Sequence, residues 1–172
     1  MNKNVRKSFA SAITSLRVLI TPLMFYAVIH ERIALAIGWW ILACLTDLLD
    51  GYVARKLEST SNFGAYFDVI ADFFFILASF SAFVRKGIYP VWILIILAGV
   101  FAQFMLTSKV RRLIYDPIGK YFGAILFVMV GLTLLFVDFA FQDTMLTTIV
   151  LLAIISVTSR WASLIKKTVA SR

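Results

Sequence analysis

At 172 residues, with 62% hydrophobic residues, a mean hydropathy of +0.93 and a formal charge of +8, the chain has the length of one domain but not the composition of a soluble one. The composition is that of an integral membrane protein, and the positive excess suits anionic lipid headgroups or phosphorylated substrates; nothing reads as a nucleic-acid module. The one cysteine, Cys44, lies in an apolar stretch, which excludes an internal disulfide and a multi-thiolate metal site.

In chain order, Asn2 to Phe9 is short, basic and partly apolar, the pattern of a membrane-surface segment. A first spanning helix is expected over residues 11–29, retained rather than cleaved, because no A-x-A-like site lies near Ala27. Its opening turns place Ser11, Thr14 and Arg17 on one face, and Arg17 is within snorkelling reach of the interface. His30, Glu31 and Arg32 make a turn. A second helix follows over 33–55, with Trp39 and Trp40 in reach of an aromatic belt, then a polar connection from Lys56 to Asn62. A third helix is expected over 63–84, and Arg85, Lys86, Gly87 and Pro90 mark the next turn. Helices over 91–107, 118–137 and 145–165 complete the set. Between them lie the densest charged run (Lys109, Arg111, Arg112, Asp116, Lys120) and an acidic loop from Asp138 to Asp143. Arg160 and Trp161 fit interface anchoring, and Gly99, Gly123 and Gly131 fit helix-packing contacts. The expected fold is an all-α, polytopic bundle of six transmembrane helices with a short basic N-terminal surface segment, forming a single domain over 1–172.

Acidic residues are scarce, nine in all, and five of them fall between Asp47 and Asp72. Glu58 belongs to the polar connection. The four aspartates sit in apolar segments, where a carboxylate is expensive and marks a functional site. At 100° per residue Asp47, Asp50, Gly51, Ala54 and Arg55 share one helical face. Gly64, Asp68 and Asp72, spaced i, i+4, i+8, share a face of the next helix. If the turn between them folds the two helices together, four carboxylates and one arginine converge. Clustered acids need a positive charge to offset them. An oxygen-only donor set suits a hard divalent ion, Mg²⁺ or Mn²⁺. Gly51 and Gly64 lack a Cβ and permit close approach of a ligand. The plainer alternative is an interhelical charge network that only holds the bundle together.

Written out, the stretch reads D-x2-D-G-x2-A-R-x8-G-x3-D-x3-D. It resembles the CDP-alcohol phosphatidyltransferase family at all eight defined positions. The resemblance implies transfer of a phosphatidyl-type group from a CDP-linked lipid to an alcohol, with release of CMP. It implies Asp47, Asp50, Asp68 and Asp72 as metal ligands, with Asp72 also the catalytic base, and Gly51, Arg55, Ser61 and Gly64 around the CDP-lipid. Relatives often carry N-x2-T-x2-R in the first helix, a pattern that helps hold the nucleotide. Here Thr14 and Arg17 match, and Ser11 replaces the Asn. A homodimer is implied by the resemblance alone.

For the acceptor, Lys109, Arg111, Arg112 and Lys120 suit an alcohol that carries its own phosphate, glycerol 3-phosphate first and inositol phosphate next. Their plainer role is to fix topology and touch anionic lipid. Many glycerophosphate-using relatives read D-P-x-A-D-K across the last two acids, whereas this chain reads Asp68-Val69-Ile70-Ala71-Asp72-Phe73, so a serine-type acceptor stays open. Six spans put both termini on one side, with 14 of the 17 Lys and Arg; Arg32, Arg85 and Lys86 are on the other. The positive-inside rule then makes the termini and the aspartate site cytoplasmic, in the cell membrane. The alternative from another class is a small cation transporter or channel using the buried carboxylates. Such a path needs polar groups through the whole bilayer depth, and 33–44 and 73–84 carry no ionisable group except Cys44.

Overall fold

The computed structural model describes residues 3–57, 62–107, 117–136 and 139–170, with side chains described at 15–48, 67, 69–106, 122–136 and 141–162. The described residues form six α-helices: α1 (Lys3–Ile29), α2 (Ile33–Leu57), α3 (Asn62–Arg85), α4 (Trp92–Thr107), α5 (Pro117–Leu135) and α6 (Phe139–Ala170). The all-α expectation is met.

Three boundaries differ from expectation. The basic N-terminal segment is not a separate surface element: it is continuous with α1, because no Gly or Pro breaks the chain between Lys3 and Ser11. The acidic loop is absent over Phe139–Asp143, which is the first part of α6. That stretch has no breaker, and the Thr147 hydroxyl donates to the Asp143 carbonyl (2.9 Å) as one helical turn meets the next. α5 begins on Pro117, whose missing N–H would have no helical partner at that position.

The chain divides into two compact units, Met1–Gly87 and Ile88–Arg172. In the first, α1 lies against both α2 and α3. Arg17, Ile20, Met24, Ala27 and Val28 line its buried stripe at helical spacing. α2 meets it with small residues, Ala36 and Ala43, which let the two backbones approach closely. α3 supplies bulk through Phe75, Phe80 and Phe83, the last two in edge-to-face contact at 5.9 Å between ring centroids. α1 is thus the helix on which both α2 and α3 pack.

The turn from α1 to α2 carries two bonds that close a helix end, Arg32 N to Ala27 O (2.9 Å) and Glu31 N to Val28 O (3.1 Å). They put Glu31 in the left-handed region (φ 57°), a place usually given to Gly. Its side chain is engaged instead: Lys86, just past α3, donates to the Glu31 carboxylate. Gly87 (φ 75°) takes the left-handed conformation in the turn after α3 without strain.

In the second unit α6 lies against α4 and α5. Ile149, Ala153, Ser156 and Arg160 form its buried stripe, against Ile93 and Leu97 of α4 and Leu126, Val130 and Leu134 of α5. Tyr89 hydrogen-bonds Thr133 (2.8 Å), whose hydroxyl also donates to Met129 O (2.8 Å), so the phenol is the donor of the pair. Arg160 is not an interface anchor. It is 3% exposed and lies over the Phe104 ring, 4.5 Å from its centroid, whereas Trp161 beside it is exposed. A Cβ added at Gly99 or Gly123 would meet nothing within 4 Å, so these two are not tight packing contacts; Gly131 is buried.

Within α6, Phe141–Ala162 is long and apolar enough to cross a membrane. Ser15–Ile29, Ile33–Leu48, Trp92–Leu106 and Phe122–Leu135 are shorter apolar stretches among the described residues. Many large apolar side chains lie outward, among them Leu19, Leu48, Ile95 and Leu106.

Candidate active site

Arg17 sits on α1 four residues before Thr21 and five before Pro22, the only proline inside that helix. Pro22 has no N–H to give to Val18 O. Just before it, the Thr21 hydroxyl donates to Arg17 O (2.9 Å). The Arg17 side chain does not snorkel outward. It is 1% exposed and spans two neighbours: Nη1 donates to Asp72 Oδ1 on α3, and Nη2 donates to Asp47 Oδ1 on α2 at 3.3 Å. The acids are more open, Asp47 at 60% and Asp72 at 34% side-chain exposure. A buried guanidinium is tolerated only where such partners offset its lost hydration. Thr46, next to Asp47, is buried with its hydroxyl returned to Ala43 O (2.8 Å), so the wall beside the site is satisfied by its own backbone.

Two of the four expected carboxylates are thus brought together with a third, basic residue that the spacing alone did not place between them. Asp50 is on α2, one turn after Asp47, and Asp68 is on α3, one turn before Asp72. Their side chains lie outside the described residues, as do those of Thr14 on α1, Gly51 and Arg55 on α2, Gly64 on α3 and Lys120 on α5. Ser61, Lys109, Arg111 and Arg112 lie outside the described residues altogether. Among the described residues no three His, Cys, Asp or Glu side chains gather as a metal cluster. What is described is a pair of carboxylates turned to one positive charge. Their donors are oxygens only, the chemistry a hard divalent ion takes.

The signal for Arg17 was present in the sequence, as an arginine inside an otherwise apolar helix. Its partners were not, because spacing along one helix says nothing about which face of another it meets.

The pattern of the CDP-alcohol phosphatidyltransferase family matches residues 7–162. The chain belongs to that family. Among CDP-alcohol phosphatidyltransferases, it is similar to the CDP-diacylglycerol–glycerol-3-phosphate 3-phosphatidyltransferase of Pseudomonas fluorescens, 32% identical over 103 residues (58% of this chain, 52% of the relative). The protein of the same name from Bacillus subtilis (strain 168) is 33% identical over 85 residues, 49% of this chain and 42% of the relative. That from Rickettsia prowazekii (strain Madrid E) is 37% identical over 73 residues, 40% of this chain and 39% of the relative. The matched region spans about half or less of the length of each of these relatives. No solved structure matches the chain.

Proposed function

We propose that the protein is a membrane-embedded transferase. It moves a phosphatidyl-type group from a CDP-linked lipid to a small alcohol and releases CMP. The observation that carries this is the meeting of Arg17 of α1 with Asp47 of α2 and Asp72 of α3, the first and last acids of the eight-position family pattern. The relatives' names support glycerol 3-phosphate as the acceptor; inositol phosphate comes next, on the basic residues Lys109, Arg111, Arg112 and Lys120 alone. The outward apolar side chains support a bundle of six spans in the cell membrane, and the charge asymmetry supports termini and site on the cytoplasmic side. A homodimer is part of the same reading.

Asp47, Asp50, Asp68 and Asp72 would hold Mg²⁺ or Mn²⁺, which supplies charge neutralisation for the pyrophosphate as its phosphorus–oxygen bond breaks. Asp72 takes the proton of the acceptor hydroxyl on a carboxylate oxygen. The acceptor oxygen forms the new bond to the lipid phosphorus, and the bond from that phosphorus to CMP breaks. Arg17 and Arg55 offset negative charge on the donor phosphates and the departing CMP. Thr14, Gly51, Ser61 and Gly64 complete the nucleotide site. Lys109, Arg111, Arg112 and Lys120 attract the acceptor's phosphate. The family match points away from an ion-transport role for the carboxylates.

The test gives purified protein a labelled CDP-lipid with Mg²⁺ and a panel of alcohols, and follows CMP. Release with glycerol 3-phosphate is expected. Release with inositol phosphate or serine alone reassigns the acceptor, and no release with any alcohol ends the transferase reading.

A further inference from the structure

A guanidinium that donates to two carboxylates already does for them what a bound cation does. Arg17 Nη1 reaches Asp72 Oδ1 and Nη2 reaches Asp47 Oδ1, the same oxygen type a divalent ion takes. The acids belong to α2 and α3, and Arg17 stands on the helix that lies against both. It is the buried charge joining them, while Asp47 is the member most open to the outside. A guanidinium and a divalent ion sharing those oxygens at contact distance repel each other strongly in a partly desolvated setting.

We infer that Arg17 is an internal counter-cation that competes with the divalent ion for Asp47 and Asp72, so that ion binding frees its guanidinium for the donor's phosphate. The inference rests on the reading of these aspartates as ion ligands. Before the ion arrives, Arg17 cancels the repulsion between carboxylates on two helices. Once the ion takes their oxygens, the buried guanidinium loses two negative partners, and a phosphate offsets that loss. Arg17 stands in the middle of α1, so the change is one of side-chain rotamer rather than of backbone. The order of binding is then ion first, donor second.

The test titrates Mn²⁺ into the detergent-solubilised full chain with neither donor nor acceptor present, reading free Mn²⁺ by electron paramagnetic resonance. Arg17→Met is expected to bind Mn²⁺ about tenfold tighter or more, because a competing charge is gone. Its unfolding temperature should also rise further on adding Mn²⁺ than that of the unchanged chain. Arg17→Lys should fall between, since a point-like ammonium does not fork across two carboxylates. Equal or weaker Mn²⁺ affinity in Arg17→Met overturns the inference. If Arg17→Met does not fold, Arg17→Lys decides: tighter binding than the unchanged chain supports it, equal or weaker binding overturns it. An unchanged chain that binds no Mn²⁺ also overturns it. The transferase reading fails separately, on CMP release, which the Mn²⁺ titration does not involve.

Discussion

Asp47 and Asp72, on two different helices, are held by one guanidinium, and the two ends of that bridge are unequally exposed. Asp72 is the more enclosed and Asp47 the more solvated. In chelator, Asp72→Asn should therefore destabilise the protein by about 1–2 kcal/mol, and Asp47→Asn by less than about 1 kcal/mol, since an enclosed charge pair resists screening better than an open one. Thermal unfolding of the two variants in one detergent measures the difference. An Asp47→Asn loss as large as that of Asp72→Asn would mean that the bridge is not organised as described.

For the chemistry, the sharpest contrast lies between a residue of the pattern and a charge at the far end of the same unit. Asp50→Asn should reduce CMP release by about 100-fold or more, as expected when a donor to a catalytic ion is lost. Lys86→Ala, at a residue whose ion pair among the described residues is with Glu31, should leave the rate close to normal. Steady-state assays of both variants check this. Equal rates would remove the aspartate pattern from the reaction.

Tyr89 and Thr133 give an asymmetric pair. Tyr89→Phe leaves the Thr133 hydroxyl its bond to Met129 O, so the loss should be about 1 kcal/mol. Thr133→Val takes away the acceptor of the buried phenol's 2.8 Å bond, and the cost should exceed that of Tyr89→Phe. Chemical denaturation of the two single variants orders them. The reverse order would assign the donor role in this pair to Thr133.

Glu31 lies in the turn between helices, and its carboxyl is held below its ordinary value of 4.5, first by the hydrogen bond from Lys86 and then by that residue's charge. A carboxyl lowered on folding contributes stability that is present above its unfolded value and is lost as pH falls through its folded one. Carbon-13 NMR of the Glu31 carboxyl should record the depressed titration, and Lys86→Ala should return it to the ordinary range. A titration unchanged by Lys86→Ala would remove Lys86 as the cause.

Helices were the most legible part of the chain. Long apolar runs with Gly, Pro and charge between them mark six elements in order, and the polar and charged residues that follow the runs explain why ends fall close to Ile29, Arg85 and Thr107. The spacing of Asp47, Asp50, Asp68 and Asp72 carried the family. Pairing was harder to see. Arg17 and Arg160 stand in apolar stretches, from which a long basic side chain is expected to reach for water, and both are buried instead. For Arg17 the reason is a pair of acids on other helices; for Arg160 it is the face of Phe104. Periodicity within a helix reports which side is apolar, not which neighbour that side meets. For the same reason the packing of both α2 and α3 on α1 is not legible in the sequence. The turn at His30, Glu31 and Arg32 is legible from its charges, although Glu31 takes a conformation where glycine is the usual cue.

Ala43 is wholly buried and stands one helical turn before Asp47 on the side of α2 that meets α1. Widening that single position to leucine would wedge the helices apart and swing the carboxylate off its partner, with every ionic group in the chain still present. Steric fit at a methyl group thus sets the aim of a charge, and the protein can be silenced by bulk alone.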